Sequence, residues 1–138
     1  MKRMLIAALL LAGCTQLPPS AEDIQAKKFQ IPSDKSVIYV VRTPMDSSEP
    51  GSLSLGNSQI TTHRGTYYRW EVAPGTHRVS GLGFGVESVT LTTTPGRIYF
   101  LEHTVIGDPD DGGVQFTRLR EIGDQAGRRL VMYSQLLM

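Results

Sequence analysis

The chain has almost no cysteine, because Cys14 is the only one among its 138 residues. A chain with a single cysteine forms no intrachain disulfide, so its stability must come from packing. It also lacks any apolar run near the ~20 residues that a membrane-spanning helix needs. Lys and Arg number 14 against 13 Asp and Glu, without a basic cluster, which argues against nucleic acid as a partner.

Catalytic and metal-binding motifs are missing as well. No Gly-x-Ser-x-Gly elbow occurs, and a nucleophilic serine needs a base held beside it. His63, His77 and His103 lie far apart, without the short ligand spacing of a zinc site. His77 follows Pro74-Gly75 and is expected to shape or cap that turn. The sequence therefore predicts a protein without metal or cofactor, and not an enzyme.

The acidic segment Asp108–Gly113 allows two interpretations. Clustered carboxylates suit calcium, but an EF-hand would place Glu where Leu119 stands. Asp, Pro and Gly also favour tight turns for backbone reasons, and we favour a solvated hairpin turn here.

The glycine-rich segment Gly81–Gly85 superficially resembles a phosphate loop. It lacks the third glycine of the dinucleotide pattern and leads into a strand, so a flexible hairpin loop is the favoured interpretation. Phe84 is a large apolar side chain within it, which either packs in the core or contacts a partner.

The first 14 residues form a short apolar leader. Lys2-Arg3 is a positive start, Met4–Leu11 is apolar, and Ala12-Gly13 are small residues directly before Cys14. This pattern indicates a signal peptide over residues 1–13. It resembles the lipobox of bacterial lipoproteins, and the alternative is a plain signal peptide that ends near a cysteine.

The lipobox resemblance implies a covalent membrane anchor. In such proteins the thiol of Cys14 receives a diacylglyceryl group, the chain is cut between Gly13 and Cys14, and the new amine is acylated. Thr15 stands where an inner-membrane retention aspartate often follows, so the implied location is the outer membrane of a bacterial envelope, facing the periplasm. The mature chain would hold 125 residues, enough for one domain.

Residues 14–35 are predicted to form a lipidated tether with one short helix. Ser20 can cap that helix, Glu22 and Asp23 suit its positive end, and Pro32 stops it.

Residues 36–138 are predicted to form a mainly β domain. Runs of β-branched and aromatic residues recur every ten residues or so between turn signals, which is typical of an antiparallel β-sandwich of immunoglobulin or transthyretin type. Val37–Val41 is apolar throughout, as in a strand buried on both faces. The other predicted strands are Ser52–Leu55 and Gln59–Thr62, which form a hairpin, then a strand containing Tyr68–Val72, followed by Thr76–Ser80, Val86–Thr93, Arg97–Ile106 and Val114–Arg120.

The strand around Tyr68–Val72 has two different faces. Tyr68, Trp70 and Val72 share one face, which we expect to join the core. Tyr67 and Arg69 lie on the opposite face, where they form either a recognition patch or an ordinary solvated surface. With Phe84 they are the candidate partner contacts.

The C-terminal segment changes period and predicts a second helix. Asp124 can cap it, and apolar residues follow at helical spacing, with Gly127 weakening the helix by ~1 kcal/mol. A last strand around Arg129–Tyr133 is the alternative. The predicted apolar stripe consists of Ala126, Leu130, Tyr133 and Leu137.

Five short stretches of the chain are similar to stretches of one known family. They are Ile38–Arg42, Leu55–Ile60, Gly65–Tyr67, Val72–Val79 and Gly96–Leu101. In these stretches the chain resembles the domain of unknown function 2846 family, whose members are typically bacterial lipoproteins. The resemblance covers residues from Val37 to the C-terminus and implies a β-sandwich on a lipid tether with no established activity.

The sequence thus favours a non-catalytic binding or structural module, anchored through Cys14, whose partner is an envelope protein or a glycan. The alternatives are an enzyme that acts on cell-wall or surface polymer, and a spacer that binds nothing.

Overall fold

The computed structural model describes residues 18–83, 87–107 and 115–138. Over these residues the chain forms two helices and nine strands. In chain order they are α1 (Ala21–Ala26), β1 (Ser36–Val41), β2 (Gly51–Leu55), β3 (Ser58–Thr62), β4 (Thr66–Val72), β5 (Gly75–Gly81), β6 (Ser88–Thr93), β7 (Ile98–Ile106), β8 (Phe116–Ile122), α2 (Asp124–Met132) and β9 (Gln135–Leu136).

The strands form two packed sheets, which confirms the predicted mainly β sandwich with two helices. One sheet has five strands in the order β8-β7-β1-β4-β9, and the other has four in the order β3-β2-β5-β6. Most neighbours are antiparallel, but β1 is parallel to β7 and β4 is parallel to β9. After β4 the chain crosses to the second sheet, where it forms β5 and β6. It then crosses back to the first sheet, where β7 lies beside β1 and runs parallel to it.

Strand β1 is the centre of the molecule, and all six of its residues are buried, which confirms the prediction made for Val37–Val41. Val37, Tyr39 and Val41 face α1 and α2, where they form an apolar cluster with Phe100. Ile38 and Val40 face the four-stranded sheet and join a second cluster between the sheets. The molecule therefore has three layers: the helices, the five-stranded sheet and the four-stranded sheet.

Helix α1 begins as predicted. The Ser20 hydroxyl accepts a hydrogen bond from the backbone N–H of Asp23 at 3.1 Å, which satisfies one free donor of the first turn. The helix ends at Ala26, and Phe29, with a φ of 53°, turns the chain toward β1.

Helix α2 is confirmed, and the alternative of a strand around residues 129–133 is wrong. Its N-cap is Gly123 and not Asp124, whose carboxylate instead pairs with Arg128 at 2.8 Å. Val131 is buried, but Tyr133 is 76% exposed, so the predicted apolar stripe is wrong at its C-terminal end. The helix stops at Met132, and the chain leaves it to form β9.

Gly127 has a packing reason that the sequence alone does not show. A Cβ atom at this position would overlap the ring of Phe100 on the sheet below. The glycine lets α2 lie close to the five-stranded sheet, and this contact offsets its poor helix propensity.

Candidate functional site

Three of the predicted site residues lie outside the described part of the chain. They are Gly13 and Cys14 in the leader and Phe84 in the glycine-rich segment. The acidic segment Asp108–Gly113 lies outside it too. The predictions made for these positions stay predictions.

Tyr67 is not an exposed contact residue, so this expectation is wrong. Its side chain is 1% exposed, because α1 packs over that face of β4. The hydroxyl donates a hydrogen bond to Oδ1 of Asp23 at 2.7 Å. Burial raises the pKa of this hydroxyl, and the bond to the carboxylate raises it further.

The Asp23 carboxylate joins three elements. It accepts hydrogen bonds from the Tyr67 hydroxyl of β4, from the backbone N–H of Leu136 in β9 at 3.0 Å and from Lys27 Nζ at 2.9 Å. Burial acts to raise the pKa of Asp23, but these bonds together lower it below its ordinary value. The ionised carboxylate therefore holds α1 and β9 against the edge of β4.

Arg69 is half-buried beside this group. Its Nη2 donates to the carbonyl oxygen of Gln30 at 3.0 Å, and its Nη1 lies 3.2 Å from the Glu71 carboxylate. The side chain thus ties the segment after α1 to β4. It also lines a cleft, so of the two predicted partner contacts within the described residues, Tyr67 is buried and Arg69 lies at an accessible surface.

The edge of β4 is only partly covered by another strand. Within the described residues, β9 pairs with Thr66 and Tyr67 alone on that side. The Tyr67 carbonyl accepts from the Leu137 N–H at 2.7 Å, so Tyr67 directs its backbone groups away from β1. Backbone groups alternate along a strand, and those of Arg69 and Glu71 therefore point to the same side, where no described strand pairs with them.

A cleft of about 580 Å³ adjoins this uncovered edge. We call it the β4 cleft. Most of its walls are apolar, with Arg69 and Glu22 supplying charge of opposite sign. Its lining residues are Ala21, Glu22, Gln25, Ala26, Gln30, Tyr68, Arg69, Leu136, Leu137 and Met138.

The arrangement suits the recognition of an extended peptide. Two residues of β4 offer backbone donors and acceptors in a row, and an extended segment can continue the ladder that β9 begins. The apolar cleft beside the edge can take side chains of that segment. Arg69 could be predicted from the sequence as a candidate contact. The partly unpaired edge of β4 could not, because the two-residue pairing of β9 with β4 depends on the fold.

The histidines take structural positions. His77 Nε2 lies 2.6 Å from the carbonyl oxygen of Ala73, as expected for a residue that shapes the turn at Pro74-Gly75, and its ring packs edge-on against Trp70. His63 is exposed at the turn between β3 and β4. No group of three or more potential metal-binding side chains occurs within residues 18–83, 87–107 and 115–138.

His103 is fully buried between the sheets. Its Nδ1 lies 2.9 Å from the hydroxyl of Thr62, and its Nε2 has no hydrogen-bond partner among the described residues. Burial, and after it the positive charge of Arg42, lowers the pKa of His103 to about 4. The ring is therefore neutral at pH 7 and shielded from any substrate.

Arg42 is buried next to this histidine and organises the loop between β1 and β2. Its guanidinium pairs with Asp46 at 2.8 Å and donates to the carbonyl oxygens of Ser47, Glu49 and Thr62. The fixed fork of an arginine satisfies all these acceptors together. We interpret the Arg42 and His103 pair as part of the scaffold.

No helix in the described ranges is long and apolar enough to span a membrane. Comparison of the chain with protein-family models and with curated proteins finds no match.

Proposed function

We propose that the protein is a lipid-anchored protein of the bacterial envelope that works by binding and not by catalysis. The partner is an envelope protein, and an extended segment of it adds to β4 beside β9. The observation that carries this proposal is the uncovered backbone edge at Arg69 and Glu71, which adjoins the β4 cleft.

The leader supports the anchor. Leu11 to Cys14 follow a basic start and an apolar run, as lipoprotein signal peptides require. Membership of the domain of unknown function 2846 family, carried by the stretches quoted above, belongs to the same proposal. It accounts for a β-sandwich whose first strand, β1, follows the leader and the intervening residues 14–35.

The state of the titratable groups favours binding over catalysis. Among the described residues, clearly shifted pKa values belong to Asp23, Tyr39, Tyr67 and His103, and all four side chains are buried. Each is engaged in packing or in bonds between elements. A catalytic site would instead need shifted groups that converge on an accessible cleft.

Photo-crosslinking in cells tests the binding proposal. A photoreactive amino acid at Gln25, an exposed residue of α1 that lines the cleft, should yield a discrete protein adduct. The same probe at Thr90, exposed on the outer face of the four-stranded sheet, is the matched control and should yield none.

Two substitutions at Glu71 test whether the partner segment pairs with the backbone of β4. Glu71→Pro removes an outward N–H without removing a β1 ladder bond, and should abolish the Gln25 adduct. Glu71→Ala keeps that N–H and should retain it. Thermal melts of both variants control for folding. Equal adduct yields from the two variants, or no adduct at Gln25, would contradict strand addition at β4.

A further inference from the structure

Exposed apolar side chains gather around Pro18, the first residue that the structure describes. Tyr133 is 76% exposed and Met132 54% exposed, both at the C-terminal end of α2. They line one depression together with Pro18 and Pro19, which are exposed themselves. We call these four residues the tether-side patch. Packing within the described chain does not account for their position.

The orientation of α2 turns this patch outward. Gly127 and Val131 face the five-stranded sheet. Arg129, Met132 and Tyr133 are exposed, and their spacing of three and four residues puts them on a common face of the helix. The helices form an outer layer of the molecule, so this face is directed away from both sheets.

The short stretch of chain between Cys14 and Pro18 limits how far the patch can be from a lipid on Cys14. Four residue steps separate Cys14 from Pro18. Even a fully extended chain of that length spans only about 14 Å. Pro18 is part of the patch, so a lipid anchor at Cys14 would hold this surface beside the headgroups of the bilayer.

We propose that the tether-side patch rests on the membrane interface and orients the domain. This inference depends on the proposed lipid anchor at Cys14. A tyrosine suits the boundary between headgroups and acyl chains, since its ring is apolar and its hydroxyl is polar. Arg129 on the same face suits anionic headgroups. The helix layer then faces the lipid, and the four-stranded sheet faces away from it.

Depth-dependent fluorescence quenching tests this orientation. Full-length lipidated protein is reconstituted into phosphatidylethanolamine–phosphatidylglycerol vesicles with or without brominated acyl chains. Trp70 is the only tryptophan, lies half-buried against the core between the sheets, and provides the background signal. Tyr133→Trp should add blue-shifted emission that brominated lipid quenches at least twofold. Thr90→Trp, on the opposite outer face, should add emission that is not quenched.

The intact mass of each purified variant separates this inference from the proposed anchor. A protein without lipid on Cys14 would overturn the anchor, and the orientation with it. A lipidated Tyr133→Trp protein quenched no more than Thr90→Trp would overturn the orientation alone. A blue shift without quenching would show that the patch contacts protein, either a second copy or another chain, and would also overturn it.

Discussion

His103 shows how a single buried side chain links packing to pH. The ring fills the space between the sheets beside Gly51, where an added Cβ would lie 2.7 Å from the ring carbon Cε1. The ring is buried away from water, and Arg42 supplies positive charge nearby. Both effects disfavour the protonated ring, so His103 is neutral in the folded protein. His103, whose place in the sequence has no metal-site spacing, is thus a core residue.

Lowering the pH should destabilise the fold through this residue. The pKa of His103 falls to about 4 in the folded state, below its ordinary 6.5, so the unfolded chain takes up the proton first. The stability that the neutral His103 ring contributes is therefore fully present above pH 6.5 and is lost as the pH falls toward 4. From about pH 8 to about pH 5 this one group should lower the free energy of unfolding by roughly 2 kcal/mol.

Urea unfolding of the protein and of His103→Gln across this range measures the effect. The glutamine does not titrate, whereas His63 and His77 are common to both proteins. The variant should show the shallower decline with falling pH. The same slope in the two proteins would contradict a buried neutral ring.

Gly127→Ala should destabilise the protein, although alanine is the better helix former. Helix propensity alone would make alanine more stable by ~1 kcal/mol. The Cβ would overlap the Phe100 ring, and overpacking of this kind costs ~1–3 kcal/mol, so we expect net destabilisation. Gln125→Ala, on an exposed position of the same helix, should change stability by less than ~0.5 kcal/mol. A higher melting temperature for Gly127→Ala would show that α2 does not pack as described.

At the scale of elements, local patterns predicted most strands and both helices. Strand β1 and the β2–β3 hairpin follow from apolar runs and turn residues that act within a few positions. The N-cap of α2, the end of its apolar stripe and strand β9 did not follow. Tyr133 fits a helical stripe by spacing, but Gly127 and Val131 decide which face of α2 meets the sheet.

The junction of α1, β4 and β9 yields the prediction for elements. Asp23→Asn keeps the shape of the side chain but removes its negative charge. The carboxylate oxygens accept hydrogen bonds from Lys27, Tyr67 and the backbone N–H of Leu136. Losing charge-assisted bonds in a buried place should cost ~1–3 kcal/mol. Hydrogen exchange at the Leu136 amide should accelerate, because its hydrogen bond to the Asp23 carboxylate, which joins β9 to α1, is weakened.

Glu22→Gln is the matched control on the same helix. Glu22 is exposed, so this change should alter stability by less than ~0.5 kcal/mol and leave the exchange at Leu136 unchanged. If Asp23→Asn behaves like Glu22→Gln, the carboxylate does not join these elements.

At the scale of the whole molecule, the three layers and the tether lead to one arrangement. The helix layer carries the tether-side patch, which includes Pro18 and Pro19, and the β4 cleft opens beside α1. A partner segment at β4 would therefore meet the protein close to the membrane. The outer face of the four-stranded sheet would remain free of both contacts.

Cys14→Ser tests the anchor on which this arrangement depends. The variant should incorporate no fatty-acid analogue in metabolic labelling, because the serine hydroxyl does not replace the thiol that lipoprotein modification requires. Thr15→Ala keeps the cysteine and should label normally. Equal labelling of Cys14→Ser and the parent chain would contradict lipidation. Density fractionation of the labelled protein should place it in the outer membrane.

Features that depend on neighbours within a few residues could be predicted from the sequence. The structure confirms three of them, namely the cap of α1, the buried run of β1 and the turn shaped by His77. The lipobox-like leader is a pattern of the same local kind, and its function stays a prediction. Tertiary structure alone decided the burial of Tyr67, the need for glycine at Gly127, the neutral state of His103 and the uncovered edge of β4. Each of these depends on a residue or strand that is distant in the chain. Alternation within a strand tells which side chains share a face, but only packing tells what covers that face.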